Sequence, residues 1–92
     1  LSPTFVIVKA YKIPDTRYKI QNLYYIDCYR IKDEQDLLLL GWDKIVSDPK
    51  NLALIEWPDR IRKILPKNTI SISFETLKTS TPHERRITFS HR

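Results

Sequence analysis

The stretches that decide the fold are residues 24–30, YYIDCYR, and residues 52–58, LALIEWP. In each stretch an apolar run ends at an acidic residue, Asp27 in the first and Glu56 in the second. The run at 52–57 is short and nearly continuous, which predicts a strand covered on both faces. Ligands of open α/β sheets bind at the carboxyl ends of the strands. The sequence therefore predicts that both carboxylates lie on one rim of the sheet, within roughly 10 Å of each other, where a metal and its water shell can join them.

The segments before and between these stretches predict short elements. Residues 4–11 are rich in β-branched and aromatic side chains and predict a strand, which pairs as a hairpin with a second strand in residues 18–29. Asp33 or one of its neighbours can cap a helix that runs through Gly41, the single glycine, placed where a left-handed backbone commonly terminates a helix. A short helical turn at 42–47 is expected to follow.

The last third predicts a helix and a hairpin. Pro58 can open a helix that Pro66 ends. Its inner stripe consists of Ile61, Ile64 and Leu65. Residues 69–74 and 85–90 each alternate apolar and polar side chains, which predicts an antiparallel hairpin with one wet face.

Composition sets the broad class of the protein. A chain of 92 residues with 41 % hydrophobic and 29 % charged residues predicts one soluble globular domain over residues 1–92. The longest apolar run, residues 37–40, is too short to span a membrane, and no signal peptide is visible, so a cytoplasmic location is expected. The single cysteine, Cys28, excludes an internal disulfide and a thiolate zinc site.

Charge and glycine content bear on the partners. The net charge of +5 suits a polyanionic partner such as RNA, and it equally suits a solvated basic surface. A phosphate-cradling loop needs several glycines, because consecutive backbone N–H groups must point at the phosphates. With Gly41 alone, these 92 residues contain no such loop.

The residues at the strand ends leave two interpretations each. Asp27 suits a Mg²⁺ ligand held by a rigid strand, or an aspartate that caps a turn. Glu56 at the end of an apolar strand is costly unless it has a partner or lies at an open rim, which favours a function. Trp57 can line a site or cap the core. Arg30 can clamp a phosphate or form a surface ion pair, and Thr4 can reach a metal or serve ordinary turn chemistry.

Three elements in order along the chain form a recognisable set: SPTF at 2–5, DCYR at 27–30 and IEWP at 55–58. As a set they resemble the TsaE family, small P-loop ATPases needed for threonylcarbamoyladenosine in bacterial tRNA. The resemblance implies an α/β, P-loop NTPase-like fold with a mainly parallel sheet, flanking helices and antiparallel hairpins. It implies that the 92 residues are the C-terminal two-thirds of such a domain, truncated at the N-terminus.

The same resemblance implies roles for the site residues. ATP and Mg²⁺ are the implied cofactors, with Asp27 and Thr4 at the metal and Glu56 positioning or activating the attacking water; the roles of the two acids could be exchanged. Trp57, Arg30 and Thr4 are the implied cofactor-binding residues. The implied partners are TsaB and TsaD, with tRNA reached indirectly, and the implied activity is an accessory ATPase that resets the TsaB–TsaD complex.

One departure from the family limits these expectations. Family members begin with a strand, a glycine-rich Walker A loop and its helix, which the 92 residues lack. Either the coding sequence starts further upstream or the chain is a degenerate member, and retention of both acids favours the first. The chain alone is therefore expected to be inactive as an ATPase. The alternatives are a non-catalytic basic α/β module that binds RNA or a protein, and a fragment of another P-loop kinase.

Overall fold

A computed structural model describes residues 5–78 and 84–91, and within these ranges the chain forms five strands and three short helices. The strands are β1 (Phe5–Lys12), β2 (Asn22–Arg30), β3 (Asn51–Glu56), β4 (Ile70–Thr76) and β5 (Arg85–His91). The helices are α1 (Glu34–Leu39), α2 (Trp42–Ser47) and a 3₁₀ helix (Pro58–Ile64). None of the helices in the described ranges has the length and apolar character needed to cross a bilayer.

The strands β1, β2 and β3 form one sheet with β2 in the centre. β1 runs antiparallel to β2, which confirms the predicted hairpin, and β3 runs parallel to β2. The parallel pair is joined by a crossover that contains α1 and α2, as parallel strands require. The α/β class is confirmed, but within the described residues the sheet is mixed rather than mainly parallel, because β1 enters it through a hairpin.

Two asparagines fix the register of the parallel pair at its amino end. Asn22 Nδ2 donates to Asn51 Oδ1 at 2.9 Å, and Asn51 Nδ2 donates to the Ile45 carbonyl at 3.1 Å. The backbone N–H of Asn22 also donates to the Lys50 carbonyl at 3.1 Å. These half-buried bonds join the starts of β2 and β3 to the end of α2, and so determine which residues face each other further along the strands.

The core lies on one face of this sheet. Ile26 and Cys28 of β2 are buried there against Trp42 at the start of α2. The other buried members of the cluster are Ile31, Leu37, Ile61 and Leu65. Trp42 Nε1 donates to the Ile64 carbonyl at 3.2 Å, which satisfies the polar atom of the largest buried side chain.

Both ends of α1 are formed by residues that the sequence predicted, Asp33 at its start and Gly41 after its end. Asp33 is the N-cap, and its Oδ1 accepts the Gln35 N–H at 2.9 Å. Gly41 follows the C-cap residue with φ of 93°, in the left-handed region where a side chain is disfavoured. The turn leads directly into α2, which confirms the helical turn predicted at 42–47. The predicted helix after Pro58 is also present, as a 3₁₀ helix, with Ile61 and Leu65 buried.

The apolar run of β3 suits burial on both faces, but within the described residues only one face is covered. Ala53 and Ile55 pack on the core, whereas Leu52 and Leu54 on the other face are 46 % and 49 % exposed. A continuous apolar run shows that both faces suit burial, but it does not supply the element that covers the second one. The edge of β3 away from β2 pairs with no other strand of the described residues.

The C-terminal hairpin has the predicted antiparallel pairing, but both of its faces are exposed to solvent, whereas one exposed face was predicted. β4 and β5 form a separate antiparallel pair in which Ile72 lies opposite Phe89 and Phe74 opposite Ile87. The sequence predicts one wet face, whereas the apolar face is wet too, with Phe74 and Phe89 70 % and 68 % exposed. Strict alternation identifies the apolar face but does not reveal whether another element packs on it.

Candidate active site

The parallel register brings Asp27 and Glu56 together. The two residues are direct partners at the carboxyl end of the β2–β3 pairing, five positions beyond Asn22 and Asn51. Neighbouring strands lie about 4.8 Å apart, and direct partners in a parallel pair point to the same face. The prediction that both acids lie on one rim is therefore confirmed by the register.

The Asp27 carboxylate is held by the local backbone. Its Oδ1 accepts the Tyr29 N–H at 3.0 Å, where the β1–β2 pairing shifts register between Phe5 and Ile7. β2 continues three residues past Asp27, although the parallel pairing ends there. This bond agrees with the turn-capping interpretation, and it leaves Oδ2 without a hydrogen-bond partner among the described residues, so that oxygen is available to a ligand.

Glu56 ends β3 on the exposed face of the sheet. Its Oε1 accepts a hydrogen bond of 2.8 Å from the hydroxyl of Tyr25, which lies two residues before Asp27 on β2. This bond raises the pKa of the Tyr25 phenol to about 12, and partial desolvation and the charges of Glu56 and Asp27 act in the same direction. At neutral pH the phenol is therefore a hydrogen-bond donor.

Trp57 turns the chain sharply after Glu56. With φ of 57° and ψ of 61°, it is the non-glycine residue with positive φ in the described part of the chain. A left-handed conformation costs an ordinary residue about 1–2 kcal/mol. Its exposed ring meets the Tyr29 ring edge to face, with centroids 5.0 Å apart. Backbone strain of this kind collects at functional sites, and here it lies directly beside the two acids.

The remaining predicted site residues are placed differently. Arg30 is the last residue of β2, at the same end of the sheet, and within the described part of the chain its exposed side chain forms no hydrogen bond or ion pair with either acid. Thr4 lies outside the described residues. Cys28, between Asp27 and Tyr29, points into the core; burial, and then the charge of Asp27, raises the pKa of its thiol to about 11. The thiol is therefore protonated at neutral pH, and a buried, protonated thiol is a poor nucleophile.

The acids do not form a closed metal site by themselves. In the described residues no group of three or more histidine, cysteine, aspartate or glutamate side chains is arranged to hold a metal ion. Two neighbouring carboxylates instead suit Mg²⁺, which keeps several waters and is commonly bound by one or two carboxylates together with substrate phosphates. The chemistry of this rim therefore fits a metal that arrives with a phosphorylated ligand.

A charged groove adjoins the same end of the sheet. It lies between the start of α1 and the 3₁₀ helix, with a volume of about 330 Å³. Its basic side chains are Lys32, Arg60, Arg62 and Lys63, and three acidic side chains offset them. Arg62 is paired with Asp59 at 3.2 Å, so its charge is partly satisfied within the groove.

Sequence reasoning missed the contacts of two tyrosines. The period of a strand places Tyr25 and Tyr29 on the face of Asp27, and that signal was visible. The contacts of Tyr25 with Glu56 and of Tyr29 with Trp57 depend on the parallel register of β2 and β3. No feature of the sequence near either tyrosine encodes that register.

Comparison with known proteins identifies the family. The family described as Threonylcarbamoyl adenosine biosynthesis protein TsaE matches residues 1–87. A protein of Rickettsia bellii (strain RML369-C) named tRNA threonylcarbamoyladenosine biosynthesis protein TsaE is 34 % identical over 77 residues, 84 % of this chain and 49 % of the relative. Its namesake from Bacillus subtilis (strain 168) is 34 % identical over 89 residues, 97 % of this chain and 49 % of the relative. No solved structure matches significantly.

These matches include both strands that carry the acids. The chain spans about half the length of the relatives that it matches. The match to one family over nearly all of the chain removes a fragment of an unrelated P-loop kinase from the alternatives. The chain belongs to the TsaE family.

Proposed function

We propose that this chain is the carboxylate-bearing part of a TsaE ATPase that serves tRNA threonylcarbamoyladenosine modification. The observation that carries the proposal is the placement of Asp27 and Glu56 as direct partners at the carboxyl end of the parallel pair. In a P-loop NTPase-like fold this rim faces the phosphates of the nucleotide. The family match supports the pathway, because the relatives are named for tRNA threonylcarbamoyladenosine biosynthesis.

The residues present fit ATP and Mg²⁺ as cofactors. Asp27 has one oxygen fixed by the Tyr29 N–H and a second available to the metal or to its waters. When bound, Mg²⁺ neutralises negative charge that develops on the phosphates during phosphoryl transfer. Thr4, Arg30 and Trp57 are the proposed contacts to the metal, the phosphates and the nucleotide.

Glu56 is the proposed water-positioning residue. Its Oε1 is engaged by Tyr25, which leaves Oε2 as the oxygen available to accept a hydrogen bond from the attacking water. Its position on an exposed rim gives water access that a buried glutamate would lack. The assignment of Asp27 to the metal and Glu56 to the water rests on these contacts and on the family resemblance.

The proposed protein is an accessory ATPase rather than the transferase. TsaB and TsaD homologues are the proposed partners, tRNA is contacted through them, and hydrolysis resets their complex. These 92 residues hold no glycine-rich loop, so the proposal assigns ATP hydrolysis to a protein in which that loop is also present.

The test measures turnover and binding separately in the full-length protein that carries these residues. We expect Mg²⁺-dependent ATP hydrolysis by the wild type. Glu56→Gln, which keeps the shape and removes the charge, lowers kcat by about 100-fold or more, while the ATP dissociation constant changes by less than about threefold. Asp27→Asn raises the Mg²⁺ concentration needed for activity. Glu84→Gln, an exposed glutamate before β5, is the matched control and leaves both quantities unchanged.

Two outcomes would change the assignment. If Asp27→Asn abolishes turnover at saturating Mg²⁺ and Glu56→Gln alters the metal requirement, the two acids exchange roles. If the wild type neither binds nor hydrolyses ATP, the ATPase proposal is wrong.

A non-catalytic basic module is the second candidate. It is favoured by the net charge of +5. Lys32, Arg60 and Lys63 in the groove beside the rim are its proposed contacts, and the three acidic side chains there offset part of their charge. Such a module would bind tRNA with a steep salt dependence and without ATP. Lys63→Ala and Arg60→Ala would then weaken tRNA binding, and Glu56→Gln would leave it unchanged.

A further inference from the structure

Tyr25 stands on the exposed face of the sheet, diagonally across from Glu56. Its direct partner on β3 is Leu54, two residues before Glu56, so the phenol reaches forward along the sheet to the carboxylate. Diagonal neighbours on adjacent strands lie within reach of long aromatic side chains. The hydroxyl is 2.8 Å from Oε1, the length of a good hydrogen bond to a charged acceptor.

We propose that Tyr25 is a positioning residue, whose hydroxyl holds the Glu56 carboxylate in the orientation that presents Oε2 to the attacking water. The inference rests on the proposed ATPase function. In this proposal β2 carries Asp27 and also orients Glu56 on the neighbouring strand β3.

Glu56 needs such an anchor because no other described residue holds its carboxylate. Its side chain is exposed and has three rotatable bonds, and a free glutamate loses up to about 2 kcal/mol of rotamer freedom when it is held in one orientation. Among the described residues Tyr25 is the partner that the carboxylate has. A hydrogen bond already in place before the reaction reduces that entropic cost in the transition state.

The hydrogen bond from Tyr25 also holds the Glu56 carboxylate against repulsion by Asp27. Like charges directly opposite each other on neighbouring strands are destabilising, and Asp27 is the direct partner of Glu56. A bond to Tyr25 draws one oxygen of Glu56 backward along the sheet, toward the phenol. The Tyr29 N–H holds Oδ1 of Asp27 from the other side, two residues further along β2, so each acid is held by a donor of its own.

Neither of the other nearby tyrosines can take this role. Tyr29 packs its ring against Trp57. Tyr11 lies on β1, paired with Leu23, one strand further from Glu56. Tyr11 is exposed and shares the face of Tyr25, which makes Tyr11→Phe the matched control for Tyr25→Phe.

The experiment measures steady-state ATP hydrolysis in the full-length protein that carries these residues. Tyr25→Phe keeps the ring and removes only the hydroxyl. We expect kcat to fall by about tenfold, with KM for ATP changed by less than about twofold, because a mispositioned group lowers the rate of the chemical step rather than binding. In a Glu56→Gln background the same substitution lowers kcat by less than about twofold, because the carboxylate that Tyr25 orients is already absent.

The possible failures are distinguishable. Tyr11→Phe leaves kcat unchanged, and the thermal unfolding midpoints of both phenylalanine variants match the wild type, which separates positioning from a structural role. If the wild type hydrolyses ATP and Tyr25→Phe behaves like Tyr11→Phe, the positioning role is wrong and the ATPase proposal stands. An equal loss from Tyr25→Phe in the wild-type and Glu56→Gln backgrounds also overturns it. If the wild type hydrolyses no ATP, the proposed function fails, and the positioning role fails with it.

Discussion

Glu56 and Tyr25 share a charge-assisted hydrogen bond on an open face of the sheet, and the ionisation of the phenol reports on it. A carboxylate acceptor stabilises the protonated phenol, because ionisation would remove the donor and place two negative charges side by side. A tyrosine pKa raised in the folded state contributes stability that is complete below pH 10 and lost as pH rises towards 12. The hydrogen bond therefore persists across the physiological range.

The first prediction concerns this titration. We expect the Tyr25 phenol to ionise near pH 12 in the folded protein, and Glu56→Gln to move its pKa down towards the ordinary value of about 10. Asp27→Asn lowers the pKa less, because Asp27 acts only through its charge. Phenolate signals resolved by NMR, with Tyr25 assigned from Tyr25→Phe, measure the shift. An unchanged pKa in Glu56→Gln would mean that the bond does not form in solution.

At the scale of elements, the geometry of the site is determined at the opposite end of the strands. Asn51 accepts from Asn22 and donates to the Ile45 carbonyl, so a single side chain links β2, β3 and α2. Five residues later, the register that it helps to fix makes Asp27 the partner of Glu56. A shift of one residue would turn one of the acids to the core face.

The second prediction tests this link. Asn51→Ala removes both hydrogen bonds and leaves a half-buried carbonyl and a half-buried amide without their partner. We expect the free energy of unfolding to fall by about 1–3 kcal/mol in urea denaturation. Asn68→Ala, at an exposed position after the 3₁₀ helix, changes it by less than about 0.5 kcal/mol. Equal losses in the two variants would show that Asn51 does not hold the strands.

The elements differ in how far their sequence determines them. The cap at Asp33, the left-handed turn at Gly41 and the start of the 3₁₀ helix at Pro58 could be predicted, because each depends on a residue and its immediate neighbours. The meeting of Asp27 with Glu56 followed from a general property of parallel strands. The apolar run with Leu52 and Leu54 indicates a strand that needs cover on both faces, but these 92 residues do not show which element packs on the second face.

At the scale of the whole molecule, two apolar surfaces stay uncovered by the described residues. One is the outer face of β3, with Leu52 and Leu54, and the other is the apolar face of the β4–β5 hairpin. A two-stranded hairpin is at best marginally stable by itself in water. An exposed strand edge with an apolar face favours pairing between chains. We therefore expect the 92 residues to self-associate when they are produced alone.

The last prediction follows from these surfaces and from the relatives, about half of whose length this chain matches. We expect the coding frame upstream of Leu1 to encode a strand, a Gly-x-x-x-x-Gly-Lys-Ser/Thr loop and a helix. A unit of about 30 residues or more supplies both a cover for β3 and the phosphate loop.

Light scattering should show the 92-residue chain associating, and calorimetry should find at most weak ATP binding by it. The longer protein should be monodisperse and bind ATP in a Mg²⁺-dependent manner. Tight, Mg²⁺-dependent binding by the 92 residues alone would contradict the need for the loop, and an unrelated upstream sequence would favour the non-catalytic module, because no phosphate loop would then accompany the two acids.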